Sequence, residues 1–152
     1  MIIRTVGEII GQRSLAQIGP GETVREACSV LDRLDVGALA VLEGGELLGV
    51  LSERDVIRKC ICASRPTSET QVRDIMTPHP VSIDVNDALP KALKLMTDGG
   101  FRHLPVVDNG RTVGLLSIRE IPAEYHLMFE RYVEAVATKP HHHDAGAASP
   151  AQ

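Results

Sequence analysis

Apolar residues fall along this chain in a rhythm that alternates between helix and strand spacing. Val24, Ala27, Cys28, Leu31 and Leu34 keep the three-and-four spacing of one helix face. Thr23 and Glu26 open that stretch as a capping box, the hydroxyl serving the first turn and the carboxylate reaching back. Two short apolar runs follow, Leu39–Leu42 and Leu47–Leu51, parted by Glu43-Gly44-Gly45-Glu46. Gly-Gly supplies the positive φ of a tight hairpin, so the pair predicts adjacent antiparallel strands. The order then recurs. Asp87 is placed to cap a second helix, and Pro90 falls in its first turn, where a missing N–H costs little. Leu89, Ala92, Leu93 and Met96 repeat the stripe until Gly99-Gly100 stop it. Leu104–Val107 and Thr112–Leu116 flank Asp108-Asn109-Gly110-Arg111, a second hairpin. Ser52 and Ser117 stand where strand gives way to helix, each a natural N-cap, and Val56 to Cys62 continues the first of these helices. Tyr125, Met128, Phe129, Tyr132, Val133 and Val136 form a last stripe, an amphipathic C-terminal helix. That helix either covers this chain's own core or packs against another subunit.

The recurrence is a true repeat. Gly49-Val50-Leu51-Ser52-Glu53-Arg54-Asp55 returns 65 residues later as Gly114-Leu115-Leu116-Ser117-Ile118-Arg119-Glu120. The spacing holds without a gap from Glu22/Asp87 to Val56/Ile121. Each copy reads as strand, helix, strand, strand, helix. Two copies are too few for a solenoid, which needs about three or more units. The pattern predicts an α/β (α+β) fold in which two β-α-β-β-α motifs pack face to face with pseudo-twofold symmetry. A cleft between such halves is a natural ligand site. The expected boundaries are 5–62 for the first motif and 71–122 for the second. Between them, 63–70 is a polar, proline-containing linker. Val72-Arg73-Asp74-Ile75-Met76-Thr77-Pro78 leads into the second copy, echoing Val6-Gly7-Glu8-Ile9-Ile10 before the first. The C-terminal helix occupies 123–138. The remainder, 139–152, reads as a disordered, solvated tail despite His141-His142-His143.

Composition narrows the function classes. With 152 residues and 43% apolar content, the chain is the size of one ordinary domain. No apolar run approaches the roughly 20 residues of a membrane span. Met1-Ile2-Ile3-Arg4-Thr5-Val6-Gly7-Glu8 does not read as a signal peptide, so a cytoplasmic setting is expected. A net charge of −4 gives no basic bias toward nucleic acid. Two Tyr, two Phe and no Trp offer no stacking platform for single strands. Cys28, Cys60 and Cys62 read as reduced structural thiols, since Cys60-Ile61-Cys62 has no second pair to complete a zinc site. There is no nucleophile–base pair and no phosphate loop of the Gly-rich Lys-Ser/Thr kind, so an enzyme is not expected.

The repeated Ser-x-x-acid admits two readings. It is a capping box, Ser52 with Asp55 and Ser117 with Glu120. The same geometry can also hold a phosphate on helix-start N–H groups and a hydroxyl, with the acid accepting the hydroxyls of a ribose. Arg54, with Arg58-Lys59, is either surface charge or extra cation for a pyrophosphate.

Several motifs occur in order and twice. Asp74-Ile75-Met76-Thr77-Pro78 enters the second copy, and Phe101-Arg102-His103-Leu104-Pro105-Val106-Val107-Asp108 forms its central strand. With them go Gly49–Asp55, Gly114–Ser117 and Val36-Gly37-Ala38-Leu39-Ala40-Val41-Leu42. Over about residues 5–122 the chain resembles a stand-alone tandem CBS-domain protein (a Bateman module) of the small bacterial two-CBS type. The resemblance implies a non-catalytic regulatory or sensor module that binds an adenosine-containing ligand between the motifs: AMP, ADP, ATP, S-adenosylmethionine or NAD(H). It places Ser52 and Asp55 at phosphate and ribose in one site, with Ser117 and Glu120 in the other. Glu120 stands where the family has Asp. It turns Arg102 and His103, ahead of Leu104 and Pro105, toward the phosphates, and lays adenine near Ile18, Val81 and Ile83. Copy one has Gly37-Ala38 opposite Arg102-His103, so two unequal sites are expected. The resemblance further implies a homodimer and a separate effector protein. The alternative is a structural CBS dimer that has lost its ligand. A catalytic barrel, needing about 200 residues or more, has no room.

Overall fold

The computed structural model describes residues 2–138; the tail 139–152, with its three histidines, lies outside the described residues. Each half is a small sheet backed by helices. In the first, β1 (Gln17–Ile18) runs parallel to β2 (Ala38–Glu43), which pairs antiparallel with β3 (Glu46–Ser52), and β4 (Thr77–Pro78) adds to the far edge of β3. In the second, β5 (Ile83–Asp84) runs parallel to β6 (His103–Asp108), which pairs antiparallel with β7 (Arg111–Ser117). Both hairpins turn through left-handed backbone, φ 58° and 82° at Gly44-Gly45 and 50° and 79° at Asn109-Gly110. Those are the angles a tight two-residue turn requires.

Period-two alternation decides what each strand buries. Leu39, Val41 and Leu51 enter one core with Val24, Ala27 and Leu31 of α2 (Val24–Leu34). Leu104, Val106 and Leu116 enter another with Leu89, Ala92, Leu93 and Met96 of α5 (Leu89–Gly99). The opposite faces carry Ala38, Ala40 and Val50 in one half and His103, Pro105 and Leu115 in the other, and there β2 and β3 approach β7. Small residues on β2 let the halves meet.

The halves also exchange a helix. α1 (Val6–Ile10) precedes the first copy, yet Val6 and Ile10 are buried in the second core. The Val6 N–H donates to the Asp87 carbonyl at 2.9 Å, and Gly7 to Val85 at 2.8 Å. α4 (Val72–Ile75) precedes the second copy and is buried in the first core, with the Val72 N–H donating to Glu22 at 2.8 Å. The repeat's glycines make room for these visitors. A Cβ on Gly49 would lie 2.7 Å from the Thr77 carbonyl oxygen and 2.8 Å from the Met76 sulfur, and one on Gly114 would lie 3.1 Å from Ile10 Cδ1.

Three local expectations change. The cap of α5 is Ala88; Asp87 instead accepts from the Asp84 N–H at 3.1 Å and pairs with Lys91. After the short α3 (Glu53–Asp55), Val56–Ile61 winds as a π-helix, closed by the Cys62 N–H on the Ile57 carbonyl at 2.8 Å. Val56 and Cys60 face the core and Ile57 and Ile61 face solvent. In α6 (Ala123–Thr138), Tyr125 is buried and Phe129 packs beside it, while Met128, Tyr132 and Val136 stay exposed. The Tyr125 hydroxyl accepts from the Arg4 N–H at 3.0 Å, tying the start of α6 to the segment before α1.

The close approach at Gly49 gives a test. Gly49→Ala should destabilise by about 1–3 kcal/mol, because the Thr77 backbone cannot yield without moving β4. Urea unfolding measures it, and an unchanged midpoint would show that the strands are not held this closely.

Candidate functional site

The start of α3 fixes the first half of the site. Ser52 ends β3 in extended backbone, its hydroxyl accepting from the Asp55 N–H at 3.1 Å while the Asp55 carboxylate accepts from the Ser52 N–H at 3.1 Å. The capping box therefore forms and aims the carboxylate. Asp55 is only 9% exposed, and its oxygens also accept from the Thr77 hydroxyl at 3.2 Å and from Lys59 Nζ at 3.0 Å. The Thr77 hydroxyl lies within reach of both oxygens, at 3.2 and 3.3 Å, so each carboxylate oxygen already faces two donors. Lys59, half in solvent, is the partner most easily displaced.

The second half differs. The Ser117 hydroxyl accepts from the Arg119 N–H at 3.3 Å, and Glu120 reaches back to the Ser117 N–H at 2.8 Å over a single 3-10 turn (Ile118–Glu120). Both Glu120 oxygens are then taken by Arg13. NH2 donates to Oε2 at 2.9 Å and to the Leu115 carbonyl at 2.7 Å, and NH1 to Oε1. A bidentate guanidinium fork holds far more firmly than a lysine. Burial pulls the Glu120 pKa up, but the hydrogen bonds from Arg13 and Ser117 outweigh it and leave it below the usual carboxylate range. The same bond raises the Arg13 pKa.

Both halves open on one cleft of about 1040 Å³. Ser52, Arg54, Asp55, Val81, Arg102, His103, Ser117 and Glu120 all line it. Four sequence-proposed contacts do not. Ile83 and Leu104 are core residues, 2% and 0% exposed, because alternation turns them away from the cleft. Pro105 lies on the opposite face of β6 but is buried behind the cleft wall, paired with Leu115. Ile18 is likewise core, at 5% exposure. Thr77 and Arg13 are cleft residues to which the sequence assigned no role, and Lys59, read there as surface charge or extra cation, is the ion-pair partner of Asp55. Arg13 lies upstream of the gap-free repeat, where no aligned partner exposes it.

His103 sits where the halves meet. A Cβ on Gly37 would be 3.4 Å from its Nε2, so the small Gly37-Ala38 of copy one leaves the space this imidazole fills. Burial pushes the His103 pKa below its ordinary value; Glu120 and Glu53 pull it back up, and Arg119 and Arg102 push it down. Cys28, also on the cleft wall, has its thiol pKa raised by burial and by Cys60, which keeps it protonated and inert. Among the described residues no group of three or more His, Cys, Asp or Glu is placed to hold a metal ion, and no helix is long and apolar enough to cross a membrane.

The family model of the CBS domain matches residues 6–61 and again 72–124. The chain belongs to the CBS-domain family. Among curated relatives, the CBS domain-containing protein YhcV of Bacillus subtilis is 33% identical over 107 residues, 70% of this chain and 76% of that protein. The chain spans only 25% of the length of an Arabidopsis thaliana relative, CBSCBSPB5, 34% identical over 137 residues. Among solved structures, the CBS domain NE2398 superposes with a TM-score of 0.74 at 35% identity, covering 79% of this chain and 95% of that one. The CBS domain protein PAE2072 of Pyrobaculum aerophilum, complexed with AMP, gives a TM-score of 0.74 at 25% identity over 86% of this chain and 99% of that one. Each CBS motif here thus contributes one capping-box carboxylate to a shared cleft, with different partners on each.

The Arg13–Glu120 pair has a defined pH signature. The Glu120 pKa is depressed on folding, so its contribution is present above the ordinary value of 4.5 and lost as pH falls below it. Glu120→Gln should cost about 0.5–1 kcal/mol at pH 7, a modest figure because both partners are partly exposed. Urea melts of the two proteins should draw together as pH falls below 4.5. A gap that stays constant across that range would locate the effect elsewhere.

Proposed function

We propose that the chain is a non-catalytic regulatory module that binds one adenosine-containing nucleotide per chain, with its ribose on Asp55. CBS-pair proteins are typically regulatory and non-catalytic, and the AMP complex of the PAE2072 structure supports an adenine nucleotide as ligand. The observation that carries the reading is the difference between the two carboxylates. Asp55 is paired with a half-exposed lysine that a ligand can displace, whereas Glu120 is held by the Arg13 fork. Ser52 and Thr77 stand beside Asp55, Val81 and Pro80 give an apolar wall for adenine, and Arg102 and His103 face the cleft from the other motif. Displaced Lys59 is free to turn to the phosphate.

In such a module the ligand acts only through unequal affinity for two arrangements of the halves or of two subunits. The exposed Leu127, Met128, Tyr132 and Val136 of α6 support a homodimer; a cytoplasmic setting and output to a separate effector protein complete the proposal. A structural CBS dimer without a ligand is the alternative, and calorimetry separates them.

Titration with AMP, ATP, S-adenosylmethionine, NAD and NADH should give binding by an adenine nucleotide at one per chain. At about 100 times Kd the ligand should add roughly 2.7 kcal/mol of stability. Asp55→Asn, which keeps the side chain's size, should weaken binding about tenfold or more, equal to at least about 1.4 kcal/mol. No response to any of these at millimolar concentration would leave only the structural reading.

His103 adds a pH dependence. A phosphate beside a ring held neutral by burial raises its pKa, so the complex takes up a proton and affinity should rise as pH falls from 8 to 6. His103→Gln should flatten that profile. An unaltered slope in the variant would remove His103 from the phosphate's surroundings.

A further inference from the structure

Outside the cleft a second, shallower groove of about 500 Å³ runs between the 3-10 turn and the start of α6. Arg102, Arg119 and Glu120 line both spaces, so the groove continues the cleft and is no separate pocket. Three elements bring basic groups to it: Arg102 from the lead-in to β6, Arg119 from the 3-10 turn, and His126 from the first turns of α6. Neither arginine side chain has an ion-pair or hydrogen-bond partner among the described residues. The one carboxylate on its wall, Glu120, is neutralised by Arg13. The groove therefore presents two uncommitted guanidiniums and an imidazole, and the first turn of α6, from Ala123, opens on the same space. Guanidiniums grip phosphate oxygens in pairs, and an α-helix start favours negative charge.

We propose that this groove holds the terminal phosphates of a nucleoside di- or triphosphate whose nucleoside part lies in the cleft. The inference rests on the nucleotide reading above and extends it to a choice of ligand. A nucleoside monophosphate ends beside Arg102 and His103. A longer phosphate chain passes Arg119 and reaches His126.

The test is calorimetry of the full chain with AMP and with ATP, on wild type, Arg119→Ala and His126→Ala. Arg119 is exposed and the variants should melt with wild type, which a thermal scan confirms. Wild type should bind ATP at least about tenfold more tightly than AMP, a step of one decade in Kd. His126→Ala should lose most of that preference with AMP affinity held within about twofold, and Arg119→Ala, which also touches the cleft, should weaken ATP by several-fold more than AMP. An ATP-to-AMP ratio that is the same in wild type and variants, or equal to one throughout, overturns the groove while leaving the nucleotide site standing. Binding of neither nucleotide overturns both.

Discussion

The exchange of leading helices is the constraint on which everything else in this molecule depends. Neither core is complete from one copy of the repeat: Val6 and Ile10 fill the second, and Val72 and Ile75 fill the first. Because each visitor comes from the other side, the two sheets are held facing one another across a fixed gap. That gap is the cleft. The helices are short, four and five residues, and no such helix is stable alone, so their order comes from the packing. Gly49 and Gly114 matter for this reason rather than for backbone freedom. They sit where a partner segment from the other half must come within contact distance.

Much of this was legible from residue order. The Thr23-Glu26 capping box, the two hairpins and the Gly99-Gly100 helix stop follow from local chemistry that tertiary structure does not override. The apolar stripes of α2 and α5 follow in the same way. The helix exchange was not legible, because Val6–Ile10 echoing Val72–Ile75 reveals similarity and says nothing of which core each enters. The π-winding after Asp55 left no trace either, since Val56, Ile57, Cys60 and Ile61 suit an α-helix equally well. At the site, residues that act through local geometry, Ser52 with Asp55 and Ser117 with Glu120, were found. Ile83 and Leu104 were misplaced because a strand's alternation cannot be phased to a cleft until its neighbours are known.

The departures between the copies have a common physical source. Where copy one has a carboxylate served by a hydroxyl, a lysine and a backbone N–H, copy two has one served by a guanidinium fork and a backbone N–H. Glu120, longer than Asp55 by a methylene, reaches far enough to meet Arg13. Gly37 and His103 show the same reciprocity, the space vacated in one half being filled from the other. Pseudo-symmetry here is a constraint on the backbone that the side chains break in complementary pairs. It leaves one carboxylate able to exchange partners and the other locked.

Among the described residues the sheets are unequal: four strands in one half, three in the other, with β4 covering the edge of β3 and no strand doing so for β7. An uncovered edge with free carbonyls invites pairing with another chain. In this chain the Arg13 guanidinium donates to the Leu115 carbonyl at 2.7 Å, at the position equivalent to the one Thr77 pairs across on β3. A charged side chain thus stands in for a strand. The same arginine that withdraws Glu120 from ligand chemistry guards the molecule against edge-to-edge association. Natural variation at position 13 would then be limited by solubility as much as by binding.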